Sequence, residues 1–408
     1  MSVISLFSGV FCKEEAVARE ILEKTGYRKI DDEEVIAGAS RLSGMPAKKI
    51  RRAFSGRTSV FNKFTHEKEN AIAHLRLSLA ELLAEDDFLL CGFSLHLVPR
   101  KVSHALRVCL IASVSSRIAE GQSARGVSAK EALRIIRHED MERAAWVEAI
   151  HGVKDPWQTD LYDIVVPMDK ETVAQAAALI DEYRGSQAVA PTAASRQAVA
   201  DFRLAAQVEV RLAAEGHDVG VTAAQGLVTL TINKHVLMLN RLEEELAAIV
   251  KQVPGVTEVQ TRVGKDFYQS DIYRKFDFQL PSKLLLVDDE REFVETLSER
   301  LLMRDMGSAV AYDGETALSL VQEDEPEVMI LDLKMPGIDG IQVLRQVKST
   351  RPEIEVIILT GHGSEADREV CMQLGAFAYL QKPVDIDVLS DTLKRANAKI
   401  QERKKSAE

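Results

Sequence analysis

The chain has 408 residues and a formal net charge of -11, which predicts two or three domains and argues against a general nucleic-acid-binding protein. Its 46% hydrophobic and 28% charged residues are typical of a globular protein with several cores. No apolar stretch is long enough for a membrane span, so no membrane partner is expected. Four cysteines without a CxxC pair indicate reduced thiols in a cytoplasmic protein.

Residues 1–184 alternate between strand and helix patterns, which predicts an α/β domain. The apolar start of the chain is predicted to be a buried first strand, because neither a preceding basic residue nor a cleavage site for a secretory signal is present. The predicted elements are strand Val3–Leu6, helix Glu14–Thr25, strands Tyr27–Ile30, Phe88–Gly92 and Leu106–Ala112, helix Ser128–Ile150, strand Leu161–Val166 and helix Lys170–Tyr183.

The loop after the first strand keeps one glycine, Gly9, and one lysine, Lys13, of a phosphate-binding loop. Such a loop needs several glycines, so that backbone N–H groups can converge on a phosphate, and a Ser or Thr after the lysine. Here residues 10–12 are Val, Phe and Cys, and Glu14 and Glu15 follow the lysine. Carboxylates at that position repel a triphosphate. The sequence therefore predicts a loop that has lost ATP-dependent phosphoryl transfer.

The domain resembles the cytidylate-kinase-like branch of P-loop nucleoside monophosphate kinases, with a degenerate Walker A loop. The resemblance lies in residues 19–27, 31–32, 106–112, 128–132 and 160–165. It implies a P-loop α/β fold. Some arginines would then be remnants of a phosphate-binding lid, although each taken singly is more typical of a solvated helix face: Arg117, Arg125, Arg134, Arg137 and Arg143. Neither His138 nor His151 has a ligand-like partner at helical spacing, so no metal is assigned to them.

Residues 185–195, GSQAVAPTAAS, are small and polar and are predicted to be a linker. The following elements are helix Gln197–Glu215, strands Val219–Val221 and Leu227–Ile232 around the turn at 225–226, helix Leu237–Gln252 and strand Val256–Val263. This αββαβ order over residues 196–266 resembles a BON domain, through residues 226–230 and 253–259. The resemblance implies lipid or partner binding, while a spacer or dimerising module without a ligand stays open. Residues 267–282 are predicted to be an aromatic-rich linker that packs on a neighbouring domain.

Residues 283–400 predict a flavodoxin-like (βα)5 domain with a doubly wound parallel sheet, followed by a charged, frayed tail at 401–408. The predicted strands are Leu284–Val287, Ala309–Ala311, Val328–Leu331, Val356–Leu359 and Ala376–Leu380. The predicted helices are Arg291–Arg304, Gly314–Glu323, Gly340–Ser349, Glu365–Leu374 and Ile386–Ile400.

Polar side chains follow these strands directly: Asp288 and Asp289, Asp332, Thr360 and Lys382. The carboxyl ends of parallel strands share one edge of a sheet, so these groups should meet in one crevice. Carboxylates there repel by roughly 1–4 kcal/mol per pair at about 4 Å, and Mg²⁺ would relieve this. A metal and a lysine also allow a carboxylate to accept a phosphoryl group. The alternative is that these residues are ordinary helix N-caps.

The domain resembles a response-regulator receiver domain over residues 283–398. The resemblance implies that Asp332 is the phospho-acceptor and that it holds Mg²⁺ with the acidic pair 288–289 and the backbone carbonyl of Lys334. It implies that Lys382 pairs with the phosphoryl group. Thr360 and Tyr379 would form the switch that reports phosphorylation.

The sequence thus predicts a three-part bacterial two-component response regulator, phosphorylated by a sensor histidine kinase. Output would run through an unknown protein or through the N-terminal domain, with no DNA contact, and a homodimer stays open. One alternative is a receiver-gated nucleoside monophosphate kinase, which ATP binding by residues 1–184 would distinguish. Another is an adaptor that recruits a membrane or envelope partner through the BON-like module, which liposome binding would distinguish.

Overall fold

A computed structural model describes residues 2–56, 58–236, 238–264, 267, 281, 283–304, 306–361 and 363–406, with only the backbone for Lys405. The chain divides into two compact units. The first unit contains residues 1–58 and 68–274, and the second contains residues 59–67 and 275–408.

The first unit is built on a parallel sheet of order β2-β3-β1-β4-β5. Its strands are β1 (Val3–Ser8), β2 (Arg28–Asp31), β3 (Phe88–Cys91), β4 (Ala105–Ile111) and β5 (Ile164–Pro167). Every residue of β1 is buried, as expected for a central parallel strand with helices on both faces. Ile4 packs with Ile21 and Ile180 on one face, whereas Val3 packs with Ile36 and Leu75 on the other.

Several helices up to residue 184 were not predicted from the sequence pattern, namely those at residues 32–43, 62–65, 67–82 and 114–125. In chain order the helices of this region are α1 (Glu14–Thr25), α2 (Asp32–Ser43), α3 (Ala47–Arg51), α4 (Asn62–Thr65, in the second unit), α5 (Glu67–Leu82), α6 (Val114–Arg125), α7 (Ala129–His151) and α8 (Val173–Arg184). The predicted strand at residues 161–166 is shorter, because residues 159–161 form a 3-10 turn.

The αββαβ order is present as predicted. Its elements are α9 (Ala193–Ala214), β6 (Gly220–Ala224), β7 (Leu227–Ile232), α10 (Leu239–Val250) and β8 (Glu258–Val263). β7 pairs antiparallel with β6 and parallel with β8. Gln225 and Gly226 both have positive φ, as a tight hairpin turn requires.

The structure corrects the prediction of a linker at residues 185–195. Residues 187–189 form a 3-10 turn with Val189 buried, and α9 already begins at Ala193 behind a reciprocal cap between Thr192 and Ser195. The first half of α9 places Phe202 in the core of the preceding α/β domain, and its second half places Val208 in the core of the αββαβ module. One helix therefore serves both cores, which explains why they form one compact unit.

The second unit has a parallel sheet of order β10-β9-β11-β12-β13. Counted within the unit this is 2-1-3-4-5, the flavodoxin-like doubly wound order, with its switch point between β9 and β11. The strands are β9 (Leu284–Val287), β10 (Ser308–Ala311), β11 (Val328–Leu331), β12 (Glu355–Thr360) and β13 (Ala378–Gln381). The helices are α11 (Arg291–Leu302), α12 (Gly314–Glu323), α13 (Gly340–Thr350), α14 (Glu365–Gln373) and α15 (Ile386–Lys405).

Residues 59–67 belong to the second unit although they lie far from it in sequence. Phe61 is fully buried in a core cluster with Leu285 and Ala309, and Glu67 lies 2.6 Å from Lys283 Nζ. The sequence did not predict this segment's position, since local periodicity contains no information on a partner more than two hundred residues away.

The prediction of a frayed tail at residues 401–408 is also corrected, because α15 continues to Lys405. Arg403 pairs with the buried Glu355, and Lys404 Nζ lies 2.7 Å from Glu327, so these charges are held by the domain. Residues 407–408 lie outside the described part of the chain, as does most of the predicted linker 267–282. Its described residue Phe267 is buried in the αββαβ core. Among the helices of the described residues, none is long and apolar enough to cross a membrane.

Candidate functional site

Three carboxylates meet at the switch point of the second sheet. Asp288 and Asp289 follow β9, and Asp332 follows the neighbouring β11. Leu331 is in register with Val287, and the Asp332 N–H donates to the Val287 carbonyl at 2.9 Å, so both strands end at the same height. One oxygen from each carboxylate lies within 4.8 Å of the others. We call these three residues the acidic cluster.

Lys382 joins the acidic cluster from the end of β13. Its N–H donates to the Thr360 carbonyl at 3.0 Å, which ties the end of β13 to the end of β12. Its Nζ lies 2.6 Å from Asp288 Oδ2 and 3.1 Å from Glu290 Oε1. It also lies 4.2 Å from the ring centroid of Phe293. Glu290 and Phe293 were not predicted as part of the site, because they act through side-chain packing rather than through a strand end.

Burial and charge act in opposite directions on these groups. Burial raises the pKa of Asp288, although the hydrogen bond from Lys382 lowers it in part. Burial alone would lower the pKa of Lys382, but the hydrogen bond and charge of Asp288, with Asp332 and Glu290, raise it above its ordinary value. Lys382 therefore stays an ammonium. A single ammonium does not balance the acidic cluster and Glu290.

Asp332 is the least satisfied member of the acidic cluster. It is 4% exposed, and its Oδ1 is buried without a hydrogen-bond partner among the described residues. A buried carboxylate oxygen without a donor needs an explanation, such as an ion. Three carboxylates with a partnerless oxygen are the donor set that a hard divalent cation such as Mg²⁺ prefers. Lys334, whose backbone carbonyl was predicted to be a further ligand, has an exposed side chain two residues after Asp332.

The alternative that these carboxylates are helix caps does not hold for Asp332. The side chains that cap helices α12 to α15 are those of Asp313, Asp339, Ser364 and Asp385. Asp288 accepts a hydrogen bond from the Glu290 N–H at 3.0 Å, just before α11. The helix after β11 thus has its own cap, which leaves Asp332 available for chemistry.

Thr360 and Tyr379 both lie beside Gly363. Thr360 is fully buried at the end of β12. The Tyr379 hydroxyl is buried without a partner among the described residues, and burial raises the pKa of Tyr379. A Cβ added at Gly363 would overlap this hydroxyl and lie 3.0 Å from Thr360 Cγ2. Gly363 therefore makes room for the inward ring, a role that sequence reasoning missed.

Gly340 should be needed to hold the backbone of Asp332. A Cβ there would overlap the Asp332 carbonyl oxygen and lie 2.7 Å from Leu333 Cα. We expect Gly340→Ala to destabilise the second unit by about 1–3 kcal/mol, as overpacking of rigid backbone does. Urea unfolding measures this effect. Gly361→Ala is the control, because its Cβ would meet nothing nearer than 3.9 Å. Equal midpoints for both variants would contradict the expectation.

The predicted degenerate phosphate loop in the first unit is held by buried arginines. Arg143 Nε donates to the Ser8 carbonyl and Arg117 Nε donates to the Val10 carbonyl, both at 2.8 Å. Arg117 also donates twice to Asp140, at 2.7 and 2.8 Å. At 4% and 9% exposure, Arg117 and Arg143 are not on a solvated helix face, which corrects that expectation for these two. Arg134 and Arg137 are exposed, as expected.

The loop lines a cavity of about 600 Å³, which we call the loop cavity. Lys13 Nζ lies 3.7 Å from Glu120, and Glu14 accepts a hydrogen bond from Ser8, so these polar groups already have partners. The left-handed backbone positions are Phe11 (φ 64°) and Lys13 (φ 58°). The β-branched Val10, by contrast, does not have a positive φ.

The remaining lining of the loop cavity mixes both signs of charge. Arg125 lies 5.1 Å from the Phe11 ring centroid, and a Cβ added at Gly121 would lie 3.0 Å from that ring. Phe11 therefore packs against α6. Glu15 and Glu139 also line the cavity. This mixture is not the concentrated donor set that a triphosphate requires.

Comparisons with known proteins find family matches over the two stretches of chain that contain these sites. Residues 284–394 match the response regulator receiver domain, and residues 3–170 match the cytidylate kinase-like family. Response regulator MprA of Mycolicibacterium vanbaalenii is 36% identical over 110 residues, 27% of this chain and 48% of that protein. Transcriptional regulatory protein CpxR of Klebsiella pneumoniae is 44% identical over 102 residues, 25% of this chain and 43% of that protein. The chain thus spans less than half the length of these relatives.

Solved receiver structures align with the same part of the chain. The response regulator receiver domain protein from Clostridium thermocellum is 34% identical, with 31% of this chain and 98% of that chain covered and a TM-score of 0.29. The receiver domain of the Francisella response regulator 1452 is 28% identical, with coverages of 29% and 98% and a TM-score of 0.28. On the family matches, the chain carries a cytidylate kinase-like region at its N-terminus and a response regulator receiver domain at its C-terminus.

Proposed function

We propose that this protein is a two-component response regulator that accepts a phosphoryl group on Asp332 from a sensor histidine kinase. The observation that carries the proposal is the buried Asp332 carboxylate, whose Oδ1 has no partner among the described residues and which lies beside the Asp288–Lys382 pair. The family match over residues 284–394 supports the same function. A cytoplasmic location is part of this proposal.

The chemistry follows from the charges in the site. An oxygen of Asp332 attacks the phosphorus atom, the new O–P bond forms, and the bond from phosphorus to the donor's histidine nitrogen breaks. Asp289 and Asp332, with Asp288 close by and the Lys334 carbonyl, would hold Mg²⁺, which when bound neutralises charge on the phosphoryl group. Lys382 already lies at the acidic cluster as an ammonium, and it can pair with a phosphoryl oxygen instead of Asp288.

The readout we infer runs through Thr360 and Tyr379. A phosphoryl group on Asp332 offers new acceptor oxygens to the Thr360 hydroxyl at the end of the adjacent strand. Movement of Thr360 changes the volume beside Gly363, where the Tyr379 ring lies. Tyr379 has no hydrogen bond within the described residues to hold its hydroxyl in one place, so the ring can shift between two packings. A local charge change would then bias a two-state element.

Output through the N-terminal part of the chain is the route we favour. Residues 59–67 lie inside the stretch that matches the cytidylate kinase-like family, yet they belong to the compact unit of the receiver. Phe61 is fully buried in the receiver core cluster that also contains Leu331, the residue before Asp332. Contact with an unknown output protein stays an alternative, and the BON resemblance of residues 196–266 stays a prediction.

Asp289→Ala should weaken Mg²⁺ binding at least about tenfold, roughly 1.4 kcal/mol, because a direct anionic ligand is lost. It should also raise the stability of the metal-free protein by roughly 1 kcal/mol, since one repulsive carboxylate pair disappears. Isothermal titration with Mg²⁺ and urea unfolding measure the two effects. Asp391→Ala removes an exposed carboxylate elsewhere in the domain and is the matched control. Unchanged Mg²⁺ affinity in Asp289→Ala would rule out the assigned ligand set.

A further inference from the structure

The first unit contains a second cavity, of about 330 Å³, which is lined in part by residues of α7, α9 and β6. This volume lies within the usual range for small-molecule sites. It is lined by apolar side chains of both the α/β domain and the αββαβ module, including Val98 and Phe202. Its polar lining consists of Arg76, His96, Arg100, Arg107, His151 and Glu209. We call it the histidine cavity.

Positive charge exceeds negative charge around the histidine cavity. Arg76 Nη1 lies 2.7 Å from Glu209 Oε1, and these two charges balance. Arg107 and Arg100 share one carboxylate, Asp163, at 3.7 and 4.0 Å. Two guanidiniums therefore face a single carboxylate, which leaves one positive charge without a close counterion in the described part of the unit.

Arg107 is the fixed member of this group. It is 5% exposed and donates to the backbone carbonyls of Val98 at 3.5 Å, Pro99 at 2.6 Å and Ala105 at 3.3 Å. Arg100, by contrast, has a side chain that is 52% exposed. The half-exposed guanidinium of Arg100 can turn toward a ligand at little cost. Arg107 is held in place and contributes a fixed positive charge to the cavity.

Two histidines face each other in the histidine cavity. His96 Nδ1 lies 3.2 Å from His151 Nε2, and His96 Nε2 has no hydrogen-bond partner among the described residues. Burial, with the charges of His151, Arg107 and Arg100, lowers the pKa of His96 to about 3. Desolvation and then the charges of Arg100, Arg107 and Arg76 lower the pKa of His151. Both rings are therefore neutral at physiological pH.

We propose that the histidine cavity binds a small organic oxyanion, whose charged group is held by Arg100 in the field of Arg107 and whose apolar body contacts Phe202. Guanidinium groups pair with carboxylate and phosphate oxygens in preference to other small ligands. The apolar lining requires that the ligand carry some carbon. Residues from both the α/β domain and α9 line the histidine cavity, so the ligand would strengthen the junction between the two modules.

Binding would be coupled to proton uptake. The arginine charges that lower both histidine pKa values would be offset by the anion, so those pKa values should rise on binding. The affinity should therefore increase as the pH falls. Without ligand, a falling pH should instead weaken the fold. Histidines in the unfolded state bind protons at a higher pH than the buried pair does, so the free energy of unfolding of the first unit should fall as the pH drops below about 6.5.

The test is isothermal titration of the full chain with phenyl phosphate, benzoate and inorganic phosphate, without Mg²⁺, at about pH 7.5 and about pH 6, which lie on either side of an ordinary histidine pKa. We expect saturable binding of phenyl phosphate, benzoate or both, and weaker binding of inorganic phosphate. The pH dependence is read from benzoate, whose carboxylate stays ionised at both pH values, and benzoate should bind more tightly at the lower pH. The phenyl phosphate and benzoate arms distinguish a phosphate ligand from a carboxylate ligand. Arg100→Gln should weaken binding at least about tenfold, the effect of losing roughly 1.4 kcal/mol.

Three further variants make the result specific. Arg134→Gln removes an exposed charge from α7 outside the cavity and should bind like wild type. Arg125→Gln alters the loop cavity and should also bind like wild type. His151→Gln should retain binding but lose part of its pH dependence. No saturable binding of either organic probe at millimolar concentration would overturn the proposal. So would equal affinities in wild type and Arg100→Gln, or loss of binding in Arg125→Gln.

Discussion

Asp332→Asn should abolish phosphorylation of this protein by acetyl phosphate and Mg²⁺, while the wild-type chain gains one phosphoryl group. The amide has no nucleophilic carboxylate oxygen, and it also removes one anionic metal ligand. We expect labelling to fall at least about a hundredfold, which corresponds to roughly 2.7 kcal/mol in the barrier. Intact-mass spectrometry over a time course measures the labelled fraction.

Asp313→Asn is the matched control for this experiment. Asp313 also follows a strand of the same sheet, but its side chain caps α12, and Asn is an equally good cap. This variant should be labelled like wild type. Comparable labelling of Asp332→Asn and wild type would show that another residue accepts the phosphoryl group.

The second large effect is an absence of nucleoside monophosphate kinase activity in the N-terminal region, despite its match to the cytidylate kinase-like family. A phosphate loop points several backbone N–H groups at the phosphates. Here Arg143 and Arg117 bind the loop carbonyls, and Lys13 pairs with Glu120. Neither Ser nor Thr follows Lys13 to hold a metal.

Carboxylates add to these defects. Glu14 and Glu15 form the first turn of α1, and each close pair with a phosphate charge would cost roughly 1–4 kcal/mol. These costs act on the same phosphates and need not add simply. We therefore expect turnover several orders of magnitude below the ~10 s⁻¹ that is typical of enzymes.

A coupled assay with ATP and CMP, and then with the other monophosphates, measures this turnover. It should be run on the full chain with and without acetyl phosphate, because the alternative is a kinase that the receiver gates. Turnover near ~10 s⁻¹ in either state would contradict the reading of the loop and favour the gated kinase.

Much of the receiver site could be predicted from sequence because its chemistry lies at strand ends. Asp288, Asp289 and Asp332 each follow a short apolar run directly, and the topology of an open parallel sheet fixes where such ends meet. The same reasoning applies to Thr360 and Lys382. Their roles in phosphorylation stay proposals, although the structure brings the acidic cluster and Lys382 together.

The parts that sequence reasoning missed depend on packing between distant residues. Gly363 matters only because the Tyr379 ring turns toward it. Phe61 and the His96–His151 pair are positioned by contacts between residues that lie far apart in the sequence. The prediction of a linker at residues 185–195 was wrong for the same reason. Its small residues are typical of a flexible segment, but Val189 is buried in a core.

The most direct test of the central claim is to locate the phosphoryl group on the wild-type chain. After reaction with acetyl phosphate and Mg²⁺, the acyl phosphate is trapped by borohydride reduction, and the modified peptide is identified by mass spectrometry. We expect one modified residue, Asp332, with labelling lost when Mg²⁺ is chelated. Modification at any other residue, or labelling that persists without Mg²⁺, would contradict the account.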